Sequence, residues 1–206
     1  MYRLPDNPRA EERSGKRILV VDDEPTLRLG FAYALTNENT VAETAANGAE
    51  ALDRLHEKQY DAVVLDLRMP EVDGLSVIQR MRSEGIKTPV VLCSAFITLH
   101  SALIAIQNQV VDFLMKPVRP RDLRQAVAAV LGMDESPLGV ALAAARESGL
   151  DDAIRTLEGR EPTPGTSEHA WLRVLTTLRE HQGDPGGAES ELTDRLLDLL
   201  AFRPGD

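Results

Sequence analysis

The sequence predicts a doubly wound α/β domain with a five-stranded parallel sheet, followed by a small all-α region. Three observations predict it: five short aliphatic runs, each followed by a stretch with helical periodicity; little polar alternation inside most of those runs; and a polar or charged residue where several of them end. Strands buried on both faces and joined by crossover helices read as continuous hydrophobic runs, whereas antiparallel strands with one wet face alternate.

The first run is Ile18 to Val21, followed by the turn Glu24-Pro25 and a helix with Leu27, Phe31, Ala34 and Leu35 on one face. The cycle returns as Thr40 to Ala45 with Ala49 to His56, then Ala62 to Leu65 with Leu75 to Met81. It continues as Val90 to Cys93 with Ala102 to Ile106, and Val111 to Met115 with Leu123 to Leu131. Asn47-Gly48, Asp73-Gly74 and Gly85 supply turns. Five cycles in about 120 residues give a flavodoxin-like sheet over residues 17–132. Residues 1–16, polar with Pro5 and Pro8, read as a disordered tail, neither signal nor anchor.

Residues 133–206 form the acidic helical region, with helices expected over Leu138 to Glu147, Leu150 to Leu157, Glu168 to His181 and Ala188 to Phe202. Pro162, Pro164 and Pro185 mark the breaks. Gly149 and Gly183 stand 34 residues apart, the spacing of a tetratricopeptide unit, but two units are too few for a solenoid and a small helical bundle is the favoured reading. His169 lacks the context of a phosphorelay histidine.

Charge and cysteine content narrow the function. Of the net charge of −10, −8 falls on residues 134–206, which hold 15 Asp and Glu against 7 Arg and no Lys. Such a region should repel nucleic acid and anionic lipid, so direct DNA binding and membrane contact are not expected. No stretch approaches the roughly 20 apolar residues of a membrane span. The single cysteine, Cys93, sits in an aliphatic run, so no disulfide framework forms and a reducing cytoplasm is the expected setting.

The polar residues at the run ends carry the chemistry. Asp22 and Asp23 follow the first run, Asp66 the third, Ser94 the fourth and Lys116 the fifth. In an open parallel sheet these termini converge on one crevice. Three carboxylates packed together resist full ionisation unless a cation joins them, and an oxygen-only set suits Mg²⁺. Asp66 could then attack a phosphoryl group, with Lys116 adding positive charge and Ser94 a hydrogen bond. A lone Asp at a strand end is more often a turn former, but five such positions in this order are hard to obtain by accident.

With those residues in view, Ile18 to Pro25, Asp61 to Leu75, Pro89 to Ala95 and Asp112 to Pro117 together resemble the receiver domain of bacterial two-component response regulators. The resemblance covers residues 17 to about 131. It implies that Asp66 is the phosphoacceptor and that Asp22, Asp23, Asp66 and the Arg68 carbonyl hold Mg²⁺. Ser94 would be the switch hydroxyl, Phe113 the switch aromatic and Lys116 the phosphate-sensing lysine. The phosphoryl donor would be a histidine kinase or phosphotransfer protein, and the Lys116-Pro117 peptide would be cis.

The implied output is a shift of the surface formed by the fourth helix, fifth strand and fifth helix, which includes Ile97 to Asn108 and Phe113. It would act through an unidentified downstream protein or a homodimer through that face, as a switch and not a turnover enzyme. His100 on that face reads as solvated or interfacial. The chain departs from the pattern at Gln109, where a glycine often ends the fourth helix. Arg68 and Phe96 stand two residues beyond Asp66 and Ser94, where they could shield a phosphoryl group, and slow self-dephosphorylation is expected.

Two other readings compete. A haloacid-dehalogenase-like phosphatase uses Asp-x-Asp, but position 68 is Arg. A phosphorylation-independent scaffold would keep the fold without needing the full set Asp22, Asp23, Asp66, Ser94 and Lys116.

Overall fold

A computed structural model of the chain describes residues 15–108, 110–132 and 150–181. The expected helices Leu138 to Glu147 and Ala188 to Phe202, the tail before residue 15, and Gln109 lie outside the described residues.

Five strands, β1 (Lys16–Val21), β2 (Thr40–Ala45), β3 (Ala62–Asp66), β4 (Val90–Ser94) and β5 (Asp112–Met115), form one sheet in the order β2-β1-β3-β4-β5. Every pairing is parallel, with Val21 opposite Leu65, Asp66 opposite Cys93 and Ser94 opposite Met115. The alternating helices are α1 (Pro25–Leu35), α2 (Gly48–Glu57), α3 (Gly74–Ser83), α4 (Leu99–Gln107) and α5 (Pro120–Val130). β3 and β4 are buried along their whole length, as the aliphatic runs require.

Local signals account for the helix boundaries. Pro25 and Pro120 open α1 and α5 at first-turn positions, where a missing N–H leaves no bond unmade. Asn47 and Asp73 cap α2 and α3 by accepting from the backbone N–H of Glu50 and Ser76. α4 begins three residues before its expected start because Thr98 and Ser101 form a reciprocal capping box. The buried face of α1 is Phe31, Ala32 and Leu35, with Ala32 in the place expected for Ala34.

Two further helices, α6 (Leu150–Glu158) and α7 (Ser167–His181), follow the sheet. An ion pair between Asp151 at the start of α6 and Arg179 near the end of α7, 3.7 Å apart, shows that they run antiparallel. Their apolar stripes, Ala153, Ile154 and Leu157 on α6 and Trp171, Val174 and Leu178 on α7, join the core cluster that also holds Phe113, Leu92 and Leu103. Among the described residues the hairpin closes onto β5 and α4 and shares the core of the sheet. An edge strand is thereby covered. No helix among the described residues is long and apolar enough to cross a membrane.

Candidate phosphoacceptor site

The parallel sheet delivers the ends of β1, β3 and β5 to one edge, where the first two runs place the acidic groups and the third places Lys116. Carboxylate oxygens of Asp22, Asp23 and Asp66 lie within 4.8 Å of one another. Asp22 is 2% exposed and Asp66 5%, while Asp23 faces solvent. The chain turn that lets adjacent Asp22 and Asp23 both reach the pocket is held locally. Asp22 Oδ1 accepts from Glu24 N–H at 2.9 Å, and the Arg28 guanidinium donates to the carbonyls of Asp22 at 2.6 Å and Asp23 at 3.3 Å.

Lys116 Nζ bridges the cluster, donating to Asp22 Oδ2 and pairing with Asp66 Oδ1, each at 2.8 Å. Burial raises the Asp66 carboxyl above the usual carboxylate range; Lys116 opposes that rise, and Asp22 and Asp23 add to it. Burial works against the Lys116 charge, yet the hydrogen bonds to Asp22 and Asp66 prevail and hold its ammonium above its ordinary pKa. One ammonium thus serves two of the three carboxylates, which leaves negative charge for a further cation. The donor set, carboxylate oxygens with two of the groups buried, fits Mg²⁺.

Gly74 sets the depth of Asp66. A Cβ at this position would lie 2.3 Å from the Asp66 carbonyl oxygen and 3.0 Å from Leu67 Cα. The first turn of α3 can therefore press on the end of β3 only because position 74 has no side chain. Gly74 N–H donates to the Leu67 carbonyl at 3.0 Å, which locks the contact.

The remaining expected residues divide. Ser94 is buried one register step beyond Asp66, but its Oγ donates to the Phe96 carbonyl at 2.7 Å and accepts from Phe96 N–H at 3.2 Å. Its hydroxyl is thus engaged by the β4–α4 loop and not by the carboxylates. Arg68 and His100 are exposed. Phe96 is 51% exposed and lines a cavity of about 170 Å³ with Arg173, Val174 and Thr177 of α7. The Lys116-Pro117 peptide is cis. Cys93 is buried, which pushes its thiol pKa upward, in keeping with packing and not with nucleophilic chemistry.

Phe113 is 1% exposed and meets Trp171 edge to face, with ring centroids 5.0 Å apart and planes at 70°. The face of α4, β5 and α5, expected as a possible homodimer surface, is thus partly covered by the chain itself. α7 occupies the β5 and α4 part of that face, so a second copy could dock there only if α7 left.

Sequence reasoning missed Asp112. Its Oδ1 accepts from Phe113 N–H at 2.8 Å, from Trp171 Nε1 at 3.1 Å and from the Ser167 hydroxyl, while Oδ2 is buried without a partner. Burial pushes its pKa up to about 6 against the lowering effect of those hydrogen bonds. The available signal is a carboxylate at the start of an aliphatic strand, where burial demands partners beyond the adjacent Phe113 N–H.

Comparisons with known proteins agree with this geometry. The family model described as "Response regulator receiver domain" matches residues 18–128, more than half of the chain. The chain is 35% identical over 175 residues to the alginate biosynthesis transcriptional regulatory protein AlgB of Pseudomonas putida, covering 83% of this chain and 36% of that one. It is 35% identical over 167 residues to the response regulator MprA of a Mycobacterium species, covering 80% of this chain and 70% of that one. The receiver domain of the Francisella response regulator 1452 superposes with a TM-score of 0.53 at 26% identity, over 57% of this chain and 98% of that structure. The chain thus spans about a third of the length of AlgB, which is named as a transcriptional regulator. The expected exclusion of DNA contact is not supported by such relatives and is not carried forward.

Proposed function

The chain belongs to the response regulator receiver family, and on that premise we propose that it is a signalling switch in the cytoplasm. It takes a phosphoryl group onto Asp66 from a histidine kinase or phosphotransfer protein and passes the change on by contact with protein. The observation that carries the reading is the Lys116 ammonium, set at 2.8 Å from both Asp22 and Asp66 at the end of the sheet.

Asp66 Oδ1 is held by Lys116, so Oδ2 is the oxygen presented to an incoming phosphorus. A bond forms from that oxygen to phosphorus as the bond from phosphorus to the donor's imidazole nitrogen breaks, and the electron pair leaves with the nitrogen. Burial of Asp66 strips water from the nucleophile and limits hydrolysis of the product. Lys116 follows the charge as it spreads onto the phosphoryl oxygens. Mg²⁺ held by Asp22, Asp23 and Asp66, with the Arg68 carbonyl as a further ligand, would supply neutralising charge when bound. Nothing in this chemistry turns over a substrate, so the protein is a phosphoacceptor and not an enzyme acting on others.

The test is incubation of wild type and Asp66→Asn with Mg²⁺ and acetyl phosphate, read by intact mass. One phosphoryl adduct in the wild type that disappears in the variant supports the reading. Absence of an adduct in both would favour a scaffold that signals by binding alone. Titration with duplex DNA, before and after phosphorylation, separates protein contact from DNA contact as the output.

A further inference from the structure

We propose that the α6–α7 hairpin is a lid over the β5 and α4 surface, held by the unmodified site and loosened when Asp66 carries a phosphoryl group. This rests on Asp66 as the phosphoacceptor and goes further, because it names the element that reads the modification.

Three attachments of the hairpin lie within five residues along the chain of Ser94 or Lys116, the two residues that would respond at Asp66. The first starts at Ser94, whose hydroxyl both donates to and accepts from the backbone of Phe96. The loop from Phe96 to Leu99 then faces Arg173, Val174 and Thr177 of α7. If the Ser94 hydroxyl turns to a phosphoryl oxygen, the Phe96 carbonyl loses its donor and the loop under α7 is freed to shift.

The second starts at Lys116. Gly165, in the turn before α7, adopts a φ of +95°, and a Cβ there would lie 2.5 Å from the Pro117 carbonyl oxygen and 3.6 Å from that of Met115. The turn is seated on the backbone on either side of Lys116. Lys116 N–H also donates to the Ser94 carbonyl at 2.8 Å, so the two responding residues are tied to each other.

The third lies on β5, three residues before Lys116. There Phe113 carries the Trp171 ring, and the neighbouring Asp112 accepts from Trp171 and from Ser167 at the first turn of α7. Among the described residues, Asp112 Oδ2 is the one buried side-chain oxygen or nitrogen that finds no partner, so the grip on this carboxylate is incomplete. A docked element with an unsatisfied buried group is closer to release than a fully satisfied one.

Phosphorylation replaces the single carboxylate charge of Asp66 with up to two negative charges on three acceptor oxygens, a net gain of about one, beside Lys116 and Ser94. Both side chains must change partners to meet it, and all three attachments feel that change. A packed interface responds by letting go as a unit instead of deforming gradually.

The test uses the full chain. Trp171 is the single tryptophan, so its emission reports the lid, and hydrogen exchange of α7 measures its opening. With Mg²⁺ and acetyl phosphate, the expected result is an adduct by intact mass, a red shift of Trp171 emission and exchange of α7 faster by about fivefold or more. Asp66→Asn should show neither optical nor exchange change. Ser167→Ala should open α7 before any donor is added, with phosphorylation adding little further. An adduct with unchanged or slower α7 exchange would overturn the lid while leaving Asp66 as phosphoacceptor. Absence of an adduct would overturn the phosphoacceptor reading, and the lid with it.

Discussion

Trp171 rests edge to face on Phe113 while its Nε1 donates to Asp112, so one indole ties α7 to two consecutive residues of β5. Truncating it removes a large buried ring and a donor together. Trp171→Ala should cost about 3–5 kcal/mol of stability. Trp171→Phe keeps most of the ring and should cost about 1–2 kcal/mol, mainly for the lost hydrogen bond. Urea unfolding midpoints of the two variants measure the difference. No loss in Trp171→Phe would mean that the Asp112 bond contributes nothing, and equal losses in the two variants would mean that the ring adds nothing beyond that bond.

Lys116 and a divalent cation would compete for the same carboxylates. In Lys116→Met, Asp22 and Asp66 lose the ammonium at 2.8 Å, so a metal meets more negative charge. Mg²⁺ should bind at least about fivefold more tightly, measured by calorimetric titration. Phosphorylation by acetyl phosphate should nevertheless slow, because no cation follows the phosphoryl oxygens. Weaker Mg²⁺ binding in the variant would show that Lys116 orders the carboxylates more than it competes for them.

The five strands and the acidic cluster were legible because both depend on short segments. A run such as Ala62 to Asp66 states its own burial, and parallel connectivity then brings Asp22, Asp66 and Lys116 together. The hairpin's docking was not legible. Periodicity in 150–157 and 168–181 shows that each helix has an apolar stripe but not which surface the stripe covers, and the contacts that decide it join Asp112 to Ser167 and Trp171, 55 and 59 residues away. The direction of the Ser94 hydroxyl was also hidden, since a serine at a strand end can turn either to the pocket or to the next loop. Here the Phe96 backbone takes it.

Gly74 is expected to be the least replaceable small residue near the site. Gly74→Ala would place a methyl group 2.3 Å from the Asp66 carbonyl oxygen, against backbone that cannot swing aside. Pushing α3 off the end of β3 should cost roughly 1–3 kcal/mol and displace Asp66 from Lys116. Both the unfolding midpoint and the rate of adduct formation should fall, and a variant with wild-type values for each would show that α3 does not fix the depth of Asp66.

Asp112 should make the stability of the chain fall as pH rises through about 6. Its carboxyl is buried, and its folded pKa of about 6 lies above the ordinary 3.8, so the folded state holds the proton more tightly than the unfolded chain does. The stabilisation is therefore fully present below about pH 3.8 and is lost as the pH climbs through about 6, up to about 3 kcal/mol in all. The charges facing it act in the same sense or are neutralised: Glu168 of α7 raises the pKa further, and Asp122 of α5, which lines the same small cavity, is paired with Arg119 at 2.6 Å. In Asp112→Asn this titration is gone, while the other carboxylates titrate as before. Urea midpoints of wild type and variant, compared from pH 4.5 to 7.5, should diverge, with the wild type losing ground to Asn as the pH rises. Parallel curves would mean that Asp112 keeps the same pKa in the folded and unfolded chain.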